Sequence, residues 1–357
     1  MRILQLIDSL HTGGGEMMAV HLANLLKDEH ESHLMVTRAE GPLKQKILPG
    51  VHYQFLGKKS SIDPLAFLRF IRYIRTHKIQ IVHAHSTSVF MPLLLRKLLP
   101  RKTKIVWHDH HGEPLNKRFY FKLLKKNLSG IDFFISVNHQ RLSELKELKV
   151  SGKKIERLGN FPVLDQKFFR DIKDRENIIV QTGNLKHPKN HLLALQAFRI
   201  LTKEIDNWRF IIIGNDFNDT YSQELKNFIG KYKLQGKIEI KSGITEISPF
   251  LFQSKIGILS SDFEGLPLAI LEYGLAGLAV VSTNVGGISD VIEHEINGLL
   301  VPPGNARKFA GALASLIEHE SVRQLYARRL QEKVKNHYSA EIYKSRLLEI
   351  YNQLTES

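Results

Sequence analysis

A chain of 357 residues is longer than one hydrophobic core usually supports, so two domains are expected. It has no cysteine, which excludes disulfides, thiolate metal sites and cysteine nucleophiles, and no run of about 20 apolar residues, which excludes a membrane-spanning helix. A formal charge of +15 raises affinity for anionic partners without choosing among nucleic acid, membrane and phosphorylated ligands.

The first half alternates strands and helices. Ile3 to Ile7 reads as a buried strand with no secretory leader ahead of it, so a cytoplasmic, non-integral protein is expected. A helix from Glu16 to Leu26 follows, then strands from His33 to Thr37 and Val51 to Leu56. Asp63 is placed to cap the next helix, with Pro64 in the first turn, where its missing N–H is not needed. Further strands are expected at Ile79 to His83, Ile105 to Trp107, Phe133 to Val137 and Ile155 to Leu158, giving a parallel, doubly wound sheet. Between Arg96 and Lys126 lie ten Lys or Arg and two acids, interleaved with leucines and aromatics. Such a stretch suits an interfacial helix on anionic lipid, or a solvated helix face over a core stripe.

Asn160 to Asp165 and the charged run Arg170 to Glu176 lack an apolar period and read as a linker. A second set of elements then begins with a strand at Ile178 to Thr182, a helix from Asn190 to about Lys203 and a strand at Phe210 to Gly214. Next come a helix through Leu225 to Tyr232, a strand at Ile238 to Ile240, a short helix around Phe250, and strands at Ile256 to Leu259 and Ala279 to Ser282. A last helix, about Ala340 to Leu354, has no strand after it.

Four stretches could carry chemistry. Thr12-Gly13-Gly14-Gly15-Glu16 opens a helix after the first strand, and glycines let backbone N–H groups approach a phosphate or sugar. It is not the dinucleotide fingerprint, because no glycine lies at Ala19 or Val20. Trp107-His108-Asp109-His110-His111-Gly112 ends another strand. Its histidines invite a metal reading, which the alternation of an extended chain disfavours, since adjacent side chains point to opposite sides. Gly183-Asn184-Leu185-Lys186-His187-Pro188-Lys189-Asn190 follows the first strand of the second half. Finally, Ser261-Asp262-Phe263-Glu264-Gly265-Leu266-Pro267 leads from a strand to a helix that should end near Gly277. It puts Glu264 ahead of a helix N-terminus suited to an anion and Glu272 inside that helix, at the carboxyl edge where open α/β sheets bind ligands.

The pair Glu264 and Glu272 with Glu-Gly-Leu-Pro after the first, then Gly286-Gly287 and Asn297-Gly298-Leu-Leu-Val-Pro, resembles the donor-site signature of retaining GT-B glycosyltransferases of family 4 (group 1). That resemblance implies two facing Rossmann-like, doubly wound parallel-sheet domains: residues 1–165 on the acceptor side, 166–338 on the donor side, and 339–357 as a helix crossing back to the first. It implies hexosyl transfer from a UDP- or GDP-sugar to a glycan or lipid-linked acceptor with retention, in cell-surface polysaccharide synthesis. No metal or other cofactor is expected, and no nucleic-acid partner. It assigns His110 and Glu264 to the catalytic centre, with His111 and His108 as alternatives for the histidine. Gly14, Gly15, Asn184, Lys189, Gly265, Leu266 and Glu272 are assigned to the donor, with Glu272 on the ribose and Lys189 on the diphosphate. Asn184 stands where the family has Arg, leaving a neutral donor in place of a bidentate cation, with Lys186 or His187 as substitutes. His83 and His85, ending the neighbouring strand, are candidates for an acceptor cleft. The enzyme would be cytoplasmic, peripheral on the inner face of an anionic membrane.

Two other functions fit parts of the pattern. A GT-B sugar-nucleotide epimerase would share the architecture, and a basic non-enzymatic binder of membrane or nucleic acid would account for the charge but not for the glutamates and glycine loops. An oxidoreductase fits poorly, because no Tyr has Lys four residues on.

Overall fold

The computed structural model describes every residue except His111, Arg118, Phe119, Ile172, Lys173, Lys203, Glu204 and Ser357, and only the backbone of Lys153. The chain divides into two compact units, one of Met1–Asn160 with Ala340–Ser357, the other of Phe161–Ser339.

In the first unit β1 (Arg2–Ser9), β2 (Glu31–Ala39), β3 (His52–Phe55), β4 (Ile81–His85), β5 (Lys104–Asp109), β6 (Phe133–Ser136) and β7 (Ile155–Arg157) form a parallel sheet in the order β3-β2-β1-β4-β5-β6-β7. The strand order reverses beside β1, between β1 and β4, which is the switch point of a doubly wound sheet. β1 and β4 are buried along almost their whole length, as strands covered on both faces must be. One face packs Leu4, Leu6, Val82, Ala84, Ile105 and Trp107 into an apolar core. On the other, the register pairs Gln5 with His83 and His85 with His108, so period-2 alternation collects a polar set under cover. Asp63 caps the helix Pro64–Thr76 by accepting from the Ala66 N–H, as its position in the sequence implied.

The second unit repeats the plan with β8 (Ile178–Thr182), β9 (Arg209–Ile213), β10 (Ile238–Lys241), β11 (Ile256–Leu259), β12 (Ala279–Thr283) and β13 (Leu299–Val301), all parallel, in the order β10-β9-β8-β11-β12-β13. The switch point lies between β8 and β11. Pro267 caps the helix Leu268–Ala276, and Gly277, at φ +74°, ends it in the left-handed region.

Three features differ from the sequence reading. β13 and the helices His139–Glu147, Ala306–Glu318 and Glu320–His337 were not anticipated. The basic segment from Arg96 to Lys126 is not one helix: buried β5 runs through its middle, between a short turn at Arg96–Leu98 and a helix at Phe121–Asn127. Its Arg118 and Phe119 lie outside the described residues, as does Lys203, the expected end of the helix that runs from His191 to Leu201. The charged run before β8 is also not free linker, because Arg175 is buried and donates to the carbonyls of Ala276, Gly277 and Ser254. A guanidinium there meets the negative end of the helix Leu268–Ala276.

Candidate functional site

In the second unit, three loops meet at the carboxyl edge of β8, β11 and β12. The loop after β8 runs Gly183–Asn190, and Asn190 caps the helix His191–Leu201 while its amide donates to Asp262 at 2.8 Å. Ser260, at the end of β11, donates to the carbonyls of Lys189 and Asn190, so the two loops are stapled together. The third loop docks through Gly286 at φ +57°, where an added Cβ would collide with the Glu264 carbonyl, and Gly287 N–H donates to the Gly265 carbonyl at 2.7 Å. Only glycine combines that close approach with that backbone.

This scaffold brings Lys189 and Glu264 together. Lys189 Nζ lies 2.6 Å from Glu264 Oε1, and the Ser261 hydroxyl donates to the same oxygen at 2.6 Å. The lysine keeps 22% of its side chain exposed, against 9% for the glutamate, so the cation is the member of the pair that solvent and an incoming anion reach. Glu272 is buried one turn into the helix Leu268–Ala276, beside Tyr273. The Tyr273 hydroxyl accepts from the Thr182 N–H and donates to the Ile258 carbonyl, tying the helix to β8 and β11. Gly265 and Leu266 are buried between Glu264 and the helix. Asn184 is turned to its own unit: its side-chain oxygen accepts from the Asn215 N–H at 3.2 Å. Lys186 and His187 are both exposed, and the His187 ring contacts Tyr221.

In the first unit the helix Gly14–Leu26 begins directly at the glycine loop. A Cβ on Gly15 would come within 3.3 Å of the His110 ring, so the loop lies against that histidine. A Cβ on Gly13 would collide with the Glu16 carboxylate, which folds back over the helix start, where negative charge is favoured. Asp109, just before His110, is buried and paired with Arg141 at 3.0 Å. His110 in turn bonds His85, Nε2 to Nδ1 at 2.9 Å. His83, His85 and His108 are fully buried, so none lines an open cleft. Burial pushes His83 down to about 3, and His85 and His108 well below the usual imidazole range, so all three are neutral. His111 lies outside the described residues.

Among the described residues, two groups resemble metal ligand sets, with ligand atoms within 4.8 Å of one another: His83, His85 and His108, and Glu31, His33 and His77. In the first, the rings of His83 and His85 are stacked 3° from parallel, and an ion cannot lie in the plane of both. In the second, both nitrogens of His33 are already bonded, to Tyr73 and Glu31. The sequence missed Ser261 and Gln5 as partners of site residues; the short spacing of Ser261 to Glu264 was visible, but no local signal marks Gln5.

Residues 12–166 match the profile of Glycosyltransferase Family 4, and residues 164–337 match that of Glycosyl transferases group 1. The chain is 21% identical, over 82% of its length and 84% of the other's, to the capsular polysaccharide biosynthesis glycosyltransferase CapH of Staphylococcus aureus. It is 23% identical, over 91% and 90%, to an Escherichia coli UDP-Gal:alpha-D-GlcNAc-diphosphoundecaprenol alpha-1,3-galactosyltransferase. Anabaena HepE, solved in complex with UDP-glucose, superposes with a TM-score of 0.82 over 99% of each chain at 17% identity, a likeness of fold.

Proposed function

The chain belongs to the family 4, group 1 glycosyltransferases and is a GT-B enzyme, and from that premise we propose that it transfers a hexosyl group from a nucleotide-diphosphate sugar to a glycan or lipid-linked acceptor, with retention. The observation that carries the reading is the pair Lys189 and Glu264 at the carboxyl edge of β8 and β11, beside the N-terminus of the helix Leu268–Ala276. Membership of the family counts against the non-enzymatic binder.

In the proposed reaction the bond from the anomeric carbon to the diphosphate oxygen breaks, and its electron pair goes to the diphosphate. The acceptor hydroxyl oxygen bonds the anomeric carbon from the same face, and its proton passes to the departing diphosphate. Charge on the leaving group grows toward the transition state. Lys189 and the first N–H groups of that helix are suited to meet it, and no metal is required for this. Glu264, buried and hydrogen-bonded by Ser261, is the candidate for the sugar, Glu272 for the ribose, and His110 for the sugar ring. Gly14 and Gly15 offer N–H groups at a second helix start.

Polysaccharide synthesis and a lipid-linked acceptor rest on the relatives named above. Attachment to an anionic membrane surface, on its inner face, is supported by exposed Leu94, Leu98 and Leu123 among exposed Lys97, Arg101, Lys102, Lys122, Lys125 and Lys126. The reading is tested by thermal shift with UDP and GDP, followed by product analysis with the sugar donor of the nucleotide that binds. A ligand at a hundred times its dissociation constant adds about 2.7 kcal/mol. Stabilisation by neither nucleotide would overturn it.

A further inference from the structure

The stacked histidines of the first unit are linked by hydrogen bonds to the last helix of the chain. His110 Nε2 bonds His85 Nδ1 at 2.9 Å, and His85 Nε2 bonds the side-chain oxygen of Gln5 at 2.8 Å. Tyr351 bonds His83 Nδ1. Gln5, His83, His85 and Tyr351 are all fully buried, so no water competes for these bonds.

Proton order along this chain follows from which atoms can donate. A carboxamide oxygen only accepts, so the bond to Gln5 requires the proton of His85 on Nε2. Neutral His85 then carries a lone pair on Nδ1, and the bond between the two histidines requires a proton on Nε2 of His110. The near-parallel stacking of His83 on His85 and of His85 on His110, at 3° and 9°, keeps the rings from swinging out of these bonds.

We propose that Gln5 is a positioning residue for His110: through His85 it fixes the proton of His110 on Nε2 and leaves Nδ1 as the nitrogen that accepts. The proposal rests on the reading that places His110 at the sugar, but its direct readout does not. A residue that fixes the tautomer of a catalytic histidine can matter for rate without touching substrate.

Long-range proton–nitrogen spectra of histidine-labelled protein distinguish a protonated ring nitrogen from a lone-pair one, and the signals missing in His110→Gln assign that residue. In the wild type, His110 and His85 should both be protonated on Nε2. Gln5→Leu should move His110 to a mixture of tautomers, while His83→Phe, which leaves Gln5 in place, should not. A wild-type His110 protonated on Nδ1, or a His110 unmoved in Gln5→Leu, would overturn the proposal. Turnover should fall at least tenfold in Gln5→Leu, about 1.4 kcal/mol, with KM for the donor changing less than kcat. Altered tautomers with full turnover would uphold the positioning chain and overturn the catalytic reading of His110 instead. If Gln5→Leu does not fold, Gln5→Met, which keeps the length of the side chain and removes the carboxamide, decides instead.

Discussion

Lys189 pairs with Glu264, so on the proposed reading a diphosphate would exchange one anion for another at the same ammonium. Lys189→Ala should therefore lower kcat more than it weakens donor binding, because the charge it faces grows toward the transition state. Full activity in a folded Lys189→Ala enzyme would remove the loop from the chemistry. Asn184, held by the Asn215 N–H, cannot make the bidentate contact of the family's arginine. Asn184→Arg is expected to tighten nucleoside diphosphate binding; if affinity is unchanged or worse, exposed Lys186 already supplies that charge. For Glu272, loss of a hydrogen bond to a charged group predicts about 1.5–3 kcal/mol weaker nucleotide binding in Glu272→Ala, measured by calorimetry. Equal affinity in mutant and wild type would end its assignment to the ribose.

At the scale of elements, the loops that present these side chains depend on one backbone conformation. Gly286 sits in the left-handed region with its Cα facing the Glu264 carbonyl, so Gly286→Ala combines strain with a collision. A positive φ alone costs on the order of 1–3 kcal/mol, and the loop carrying Glu264 must move as well. The expected result is lower donor affinity together with a lower melting temperature, and a variant with both unchanged would show that the loops are not coupled. Much of this was legible in the sequence. Pro267 and Gly277 bracket the helix that they implied, Asp63 caps where it should, and the strand at Ile256 to Leu259 is an apolar run of the right length. β13 was not legible, since Leu299 to Val301 is too short to show a period. In the basic segment the strand at Ile105 to Trp107 was legible, and it already divides the stretch into the turn Arg96–Leu98 and the helix Phe121–Asn127 in place of one interfacial helix. Alternation in Ile81-Val82-His83-Ala84-His85 puts both histidines on one face, yet which strand faces them is set by register. That is why Gln5, 80 residues from His85, could not be found by pattern.

Across the whole molecule, buried neutral histidines tie stability to pH. Burial holds His83 down to about 3, and His33 and His191 down to about 4, against an ordinary value of 6.5. Between those values the unfolded chain binds protons that the native state refuses. Unfolding free energy should thus be insensitive to these groups above pH 6.5 and fall steadily as pH drops toward 4. Urea midpoints across that range test this, and a flat profile would contradict it. Membrane contact makes a separate prediction: co-sedimentation with anionic vesicles that is lost as salt rises, each Lys or Arg near such a surface contributing about 1 kcal/mol before screening. Equal binding to neutral vesicles, or none to either, would return the basic segment to a solvated role. The terminal helix Ala340–Glu356 carries one more consequence, for the order of events at the ribosome. It belongs to the unit of Met1–Asn160, and its residues reach back to Glu29, Glu156 and His83, while Phe161–Ser339 is one unbroken run. At about 5–20 residues per second, the first-made unit waits roughly 10–40 s for its last helix. The unit synthesised first is thus the last able to finish folding, and a chain cut short before Ala340 would hold every candidate site residue yet leave His83 without the Tyr351 hydroxyl that bonds it.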